Sequence, residues 1–203
     1  GQLYSNGREA DRRPRVCNFI GNDPGILETA IRHGCRNYIL QQKDFALDIL
    51  QKCREHRIHT AVETNLLTDI NTLEAFLPWV DLWMCDFKMA DDTLHRKWTG
   101  HSNVPIIKNL EFLAKQAVPM TIRTPIIPNV NDSEEAIESI CRFIRQLPNQ
   151  PAYELLGFHS LGFVKFENLG MKNPLSNSAF LKKGQLQKLN EILIRYNLNN
   201  NKK

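Results

Sequence analysis

Four short apolar runs recur along the chain, at residues 59–64, 80–87, 120–127 and 153–158, and a segment with helical spacing separates each from the next. This alternation restricts the fold more than any other feature. A strand that must wait for a helix before it pairs returns parallel to its predecessor, so four such runs predict a parallel α/β sheet or barrel. The runs also finish in ionisable or polar residues: Glu63 and Thr64, then Asp86 and Lys88, then Arg123, then His159. In a parallel α/β barrel the carboxyl ends of the strands share one rim, which is where a site assembled from several strands is expected.

The segments between the runs fit this reading. Residues 44–56 place Phe45, Ala46, Ile49, Leu50 and Cys53 on one helical stripe, and 70–77 reads as a short helix ended by Pro78. Helical pieces are expected at 91–98 and 105–117, the second carrying Ile106, Ile107, Leu110, Leu113, Ala114 and Ala117 at helical intervals. The turn at 128–132 offers Asp132 as a helix cap, with Glu135 completing a capping box ahead of a helix that buries Ile137, Ile140, Cys141 and Ile144. The run at 80–87 has too few polar positions for an exposed edge and should be central. Trp79, Trp83 and Trp98 read as packing residues. A last amphipathic helix is expected at 181–196, after a loop containing Gly162 and Gly170.

Three regions follow from these patterns: an irregular or degraded segment at 1–43, a partial (β/α) barrel core at 44–197, and an Asn/Lys-rich tail at 198–203 that reads as disordered. Within the first region only 26–31 suggests a helix. With 203 residues, 42% of them hydrophobic, one domain with a substantial core is sufficient. The balance of 26 basic against 22 acidic side chains gives only +4, and Arg8, Arg12, Arg13, Arg15, Lys202 and Lys203 at the two ends account for part of it. No nucleic-acid partner is expected. No apolar stretch approaches the roughly 20 residues of a membrane span, and the start lacks the charged-then-apolar order of a signal peptide. The expectation is a soluble, cytoplasmic protein with no membrane partner. Cys17, Cys35, Cys53, Cys85 and Cys141 are odd in number and scattered, which fits a reducing compartment, and no pair has metal-ligand spacing. Cys53 and Cys141 fall on apolar helix faces as buried thiols.

Glu63 and Asp86 are two carboxylates at neighbouring strand tips, which repel unless something positive sits between them, so together they suit a cation or an amino group. Lys88 and Arg123 suit the negative part of a ligand, and His159 brings an imidazole whose charge is adjustable near neutral pH. Structural uses stay open beside these. Asp86 and Lys88 lie two apart and can form a simple ion pair, Arg123 can cap a helix or pair with a carboxylate, and His159 can be a hydrogen-bonded core residue.

Five blocks carry a resemblance: I-H-T-A-V-E-T-N at 58–65, V-D-L-W-M-C-D-F-K at 80–88, W-T-G-H-S-N at 98–103, I-R-T-P-I-I-P-N-V-N-D at 122–132, and L-L-G-F-H-S-L-G at 155–162. In order and spacing they resemble the glycyl-radical-enzyme activating enzymes, the pyruvate formate-lyase activase branch of the radical SAM superfamily, over about residues 45–175. The resemblance implies a partial (β/α)6 barrel of which strands three to six are present here and the first two are missing or degraded. It implies a [4Fe-4S] cluster and S-adenosylmethionine, cleaved reductively to a 5′-deoxyadenosyl radical that takes hydrogen from a glycine of a partner glycyl radical enzyme. A flavodoxin- or ferredoxin-type reductant would serve the cluster. By the same resemblance Glu63, Thr64, Asp86 and the Met84 carbonyl match the place of a monovalent cation, and Lys88, Arg123 and His159 match contacts to S-adenosylmethionine. A zwitterionic amino acid needs both signs of charge, which agrees with the residue types present.

The chain also departs from that family. It contains no C-x-x-x-C-x-x-C, the motif whose three thiolates hold the cluster, so no iron-sulfur ligands are assigned and no catalytic residue is named. Where Gly-Gly-Glu-Pro is expected before Leu40 stand Gly34-Cys35-Arg36-Asn37-Tyr38, and Leu66 takes the position of the glycine that usually follows the Glu-Thr pair. Tyr4 to Glu9 looks like the family segment ahead of the second strand at about the usual distance, which suggests a compensated frameshift across roughly 10–40 beside a missing amino-terminal portion. The expectation is an activase inactive in this truncated form. The alternatives are a non-catalytic half-barrel that binds a glycyl radical enzyme or a nucleoside-like ligand, and a barrel lyase using Lys88 as a Schiff-base amine.

Overall fold

The structure is a computed structural model that describes Leu40, residues 42–157 and residues 181–198. His159, Cys17, Cys35, the helix expected at 26–31 and the glycine-containing loop lie outside the described residues. Within them the order is α1 (Lys43–Glu55), β1 (Ala61–Thr64), α2 (Ile70–Phe76), β2 (Leu82–Asp86), α3 (Asp92–Thr99), α4 (Val104–Lys115), β3 (Met120–Pro125), α5 (Glu134–Gln146), β4 (Ala152–Leu156) and α6 (Gln185–Arg195). Each element lies within a few residues of its expected place. Pro78 does not end a helix outright; it lies in a 3-10 turn, Leu77–Trp79, that continues α2 toward β2.

The four strands form one sheet in the order β1-β2-β3-β4, every neighbouring pair parallel. Right-handed crossovers laid down in sequential order put all the connecting helices on the same side. The burial pattern of the strands agrees. Val62, Trp83, Cys85, Ile122, Tyr153 and Leu155 are buried and join one apolar core with Leu50, Phe76, Leu110, Ile140 and Ile192 from the helices. The alternate residues Glu63, Met84, Asp86, Arg123 and Glu154 point to the other side, where burial is partial or absent. This is the arrangement of part of a barrel wall, covered outside and polar inside.

Local chemistry sets the helix boundaries. The Asp69 side chain accepts from the Thr72 amide at 2.9 Å to start α2, and Asp91 accepts from the Leu94 amide at 2.7 Å to start α3. Gly100, at φ 78°, ends α3 in the left-handed conformation that glycine adopts without strain. Three expectations are corrected. The cap of α5 is Ser133, which accepts from the Ala136 amide at 3.2 Å, because Asp132 is engaged with the Asn129 amide and with Gln185 of α6. Phe45 is 64% exposed at the edge of its stripe while Ala46, Leu50 and Cys53 face the core. Trp98 is an exposed residue with the Lys97 ammonium over its ring, whereas Trp83 is fully buried. Among the described residues no helix is long and apolar enough to cross a membrane.

Candidate functional site

The register brings the strand ends together. Asp86 and Arg123 are direct cross-strand partners, and Glu63 pairs with Met84 one step earlier on the same face. The Arg123 guanidinium lies between the two carboxylates, its Nη2 2.5 Å from Glu63 Oε1 and 3.1 Å from Asp86 Oδ1. The positive group that two neighbouring carboxylates require is therefore supplied by the third strand. Lys88 Nζ stands 3.4 Å from the other oxygen of Asp86. Glu63, Asp86, Lys88 and Arg123 form one alternating-charge cluster on the open face, and the ion pairs anticipated for Asp86 with Lys88 and for Arg123 with a carboxylate are both present.

Arg123 is the most enclosed member, its side chain only 11% exposed, against 19% for Asp86 and Lys88 and 47% for Glu63. Burial works against its charge, but hydrogen bonding and attraction from Glu63 and Asp86 outweigh that and hold its pKa above the ordinary arginine value. It stays a cation. Its Nη1 lies 3.9 Å from Met84 Sδ, and its buried Nε–H has no hydrogen-bond partner among the described residues. A buried donor left without an acceptor is costly, so this N–H would gain from an acceptor brought within its reach.

Thr64 behaves differently from the rest. It is buried on the covered side and its hydroxyl accepts from the Leu66 amide at 2.9 Å, closing a tight turn at the exit of β1. Leu66 there has φ 56° and no exposed surface. A leucine occupies the left-handed conformation that explains why glycine suits this position.

The loops beyond the strands are held by buried side chains that the motif reading gave no role. Asn109 Nδ2 donates to the carbonyls of Leu66 and Thr68, Asn103 Nδ2 to those of Met89 and Ala90, and Asn131 Nδ2 to those of Lys88 and Pro125. Asn103 and Asn131 each stand in a motif block, yet an asparagine between helical and strand patterns reads first as a turn residue. Glu154, in register with Arg123 on the open face, lies outside the motif blocks; its signal is a charge at an alternating position of an apolar strand.

Metal ligation is less well served. Among the described residues no group of three or more His, Cys, Asp or Glu side chains is placed to hold a metal ion. Cys53, Cys85 and Cys141 are buried; burial pushes Cys85 far above the ordinary thiol range and Cys141 up to about 12. They are packing residues, not thiolate ligands.

No protein-family model matches the chain. It is 36% identical over 145 residues to the isethionate sulfite-lyase activating enzyme of Desulfovibrio desulfuricans, covering 70% of this chain and 46% of that protein. It is 32% identical over 155 residues to the pyruvate formate-lyase-activating enzyme of Clostridium pasteurianum, covering 76% of this chain and 65% of that one. The chain thus spans less than two thirds of the length of these relatives. Among solved structures, a domain of pyruvate-formate lyase-activating enzyme from Bacteroides vulgatus superposes with a TM-score of 0.69 at 28% identity, over 81% of this chain and 93% of that domain. Sequence relatives and structural neighbour alike are activating enzymes, and the chain belongs to the glycyl-radical-enzyme activating enzymes of the radical SAM superfamily.

Proposed function

We propose that this chain is the S-adenosylmethionine-binding part of an enzyme that installs a glycyl radical on a partner enzyme. The observation that carries this reading is the alternating-charge cluster of Glu63, Arg123, Asp86 and Lys88 on the open face of the sheet. The methionine portion of the ligand is a zwitterion. Lys88 and the unpartnered Nε–H of Arg123 receive its carboxylate, and the carboxylates of Asp86 and Glu63 offset its ammonium or a monovalent cation beside it. The Met84 carbonyl completes the cation position and His159 adds a ligand contact, whereas the Thr64 side chain, buried on the covered side and bound to the Leu66 amide, is left out of it. Bound there, S-adenosylmethionine would supply radical chemistry to such an enzyme once an external one-electron reductant breaks its sulfonium C–S bond.

The protein residues bind and orient. In the described arrangement Arg123 takes both carboxylates for itself, so a cation at this position competes with the guanidinium, and admitting one turns Arg123 toward the ligand. The [4Fe-4S] cluster of the superfamily does not fit the described thiols, which are buried and dispersed. The absence of C-x-x-x-C-x-x-C from the sequence favours a second reading, in which this chain docks a nucleoside-like ligand or a glycyl radical enzyme without chemistry.

Anaerobic reconstitution with iron and sulfide separates the two. A brown protein with cluster absorption that cleaves S-adenosylmethionine with a flavodoxin- or ferredoxin-type reductant supports catalysis. A colourless protein that binds S-adenosylmethionine in a titration, and loses binding in Arg123→Ala and Lys88→Ala, supports binding alone. Failure of the wild-type protein to bind S-adenosylmethionine refutes the proposed role and leaves, of the second reading, only docking of a partner enzyme.

A further inference from the structure

The chain leaves β2 through Phe87, Lys88, Met89 and Ala90, and all four successive carbonyls are held by side chains from other elements. Thr124 Oγ1 donates to the Phe87 carbonyl at 2.6 Å, Asn131 Nδ2 to that of Lys88 at 2.9 Å, and Asn103 Nδ2 to those of Met89 and Ala90 at 3.0 and 2.8 Å. The donors are themselves fixed. Thr124 accepts from the buried Tyr153 hydroxyl at 3.0 Å, and Asn131 also donates to the Pro125 carbonyl at 2.9 Å while its Oδ1 accepts from the Ile127 amide at 2.7 Å. The Asn103 amide donates to Asp92 Oδ1 at 2.8 Å. Thr124, Asn131 and Asn103 are 0%, 3% and 1% exposed. A segment with irregular backbone is thereby made as determinate as a strand, because every acceptor it buries has its donor.

Lys88 has a long side chain with several rotatable bonds, and a compact ammonium holds its place only if the backbone beneath it does. Ser or Thr at 103 or 131 cannot reproduce these contacts, since one amide nitrogen with two hydrogens serves two carbonyls at once. We propose that Asn131 and Asn103 are positioning residues that set the Lys88 ammonium against the carboxylate of an amino-acid-bearing nucleoside ligand, Asn131 by joining the exit of β2 to that of β3. This rests on the proposed role of Lys88 in receiving the ligand carboxylate.

The test compares two ligands in calorimetric titrations of the full chain: S-adenosylhomocysteine, which has the amino-acid carboxylate, and 5′-methylthioadenosine, which lacks it. Lys88→Ala should weaken S-adenosylhomocysteine alone. Asn131→Ala should do the same by about tenfold, the size of a typical coupling between residues in contact, with 5′-methylthioadenosine unaffected. In the Lys88→Ala background Asn131→Ala should have no further effect on either ligand. Asn103→Ala releases only the Met89 and Ala90 carbonyls and should give a smaller loss of the same selectivity, which keeps the question open to test if Asn131→Ala does not fold. Equal weakening of both ligands, or an undiminished loss in the Lys88→Ala background, overturns the positioning role. If Lys88→Ala itself leaves S-adenosylhomocysteine binding unchanged, the role of Lys88 falls and the positioning role with it.

Discussion

The two faces of the sheet are made from alternate residues of the same four strands, and neighbouring positions such as Trp83 and Met84 have opposite surroundings. Trp83 is enclosed by the helix layer, whereas Met84 is half-buried beside Arg123 on the open side. Parallel sheets are ordinarily covered on both faces. Here one face is satisfied by hydrophobic packing and the other by charge pairing, and the second kind of satisfaction is the one a ligand can exchange for its own. The covered face carries the hydrophobic packing, and the open face carries the charges proposed to meet a ligand.

The sharpest way to break this contrast is to truncate the two neighbours. Trp83→Ala should lower unfolding free energy by about 3–5 kcal/mol, and Met84→Ala by less than about 1 kcal/mol, since it leaves no enclosed cavity. Urea denaturation of both variants measures the difference, and similar losses would mean that the faces are not energetically distinct. Next in size is Leu66→Gly. Glycine relieves about 1–2 kcal/mol of left-handed strain but removes a fully buried side chain worth about 2–5 kcal/mol, so a net loss of about 2 kcal/mol is expected in the same denaturation.

Arg123→Met addresses the open face directly. It should cost about 1–2 kcal/mol in stability, because Asp86 keeps Lys88 as a partner, yet abolish measurable S-adenosylmethionine binding in a titration. A variant that binds as well as the wild type would show that the guanidinium is merely structural. Ser133→Ala, far from either contrast, should cost about 1 kcal/mol through the lost cap of α5, read from thermal unfolding.

The smallest effect is a pH dependence. His95 is buried, and its Nδ1 donates to the His101 carbonyl at 2.7 Å; burial holds its pKa below the 6.5 of a free imidazole. The unfolded chain therefore takes up a proton first as the pH falls. Stability should be level above about pH 6.5 and decline below it until the folded-state pKa is passed. His95→Asn keeps the Nδ1-like donor and removes the titration, so its stability in urea should be flatter across that range.

Strand and helix positions were legible because period-2 and period-3.6 patterns are written into a few consecutive residues. Ile137, Ile140, Cys141 and Ile144 are buried as their spacing predicts. Boundaries were less legible where a distant group intervenes. Asp132 has the residue type and spacing of a cap, but Gln185 of α6, 53 positions away, takes one of its oxygens at 2.7 Å and the Asn129 amide takes the other at 2.9 Å. Trp98 has the size of a core residue, and only the position of α3 leaves its ring outside.

The sequence by itself determined the parallel α/β class, the family blocks and the chemical types at the strand ends, because each is carried by local spacing and residue identity. It also required that something positive stand between Glu63 and Asp86. Only the tertiary structure decided that Arg123 fills that place, and that two motif asparagines hold the backbone under Lys88. Those choices depend on strand register and on distances between segments 14 to 60 positions apart, which packing sets and no local pattern encodes.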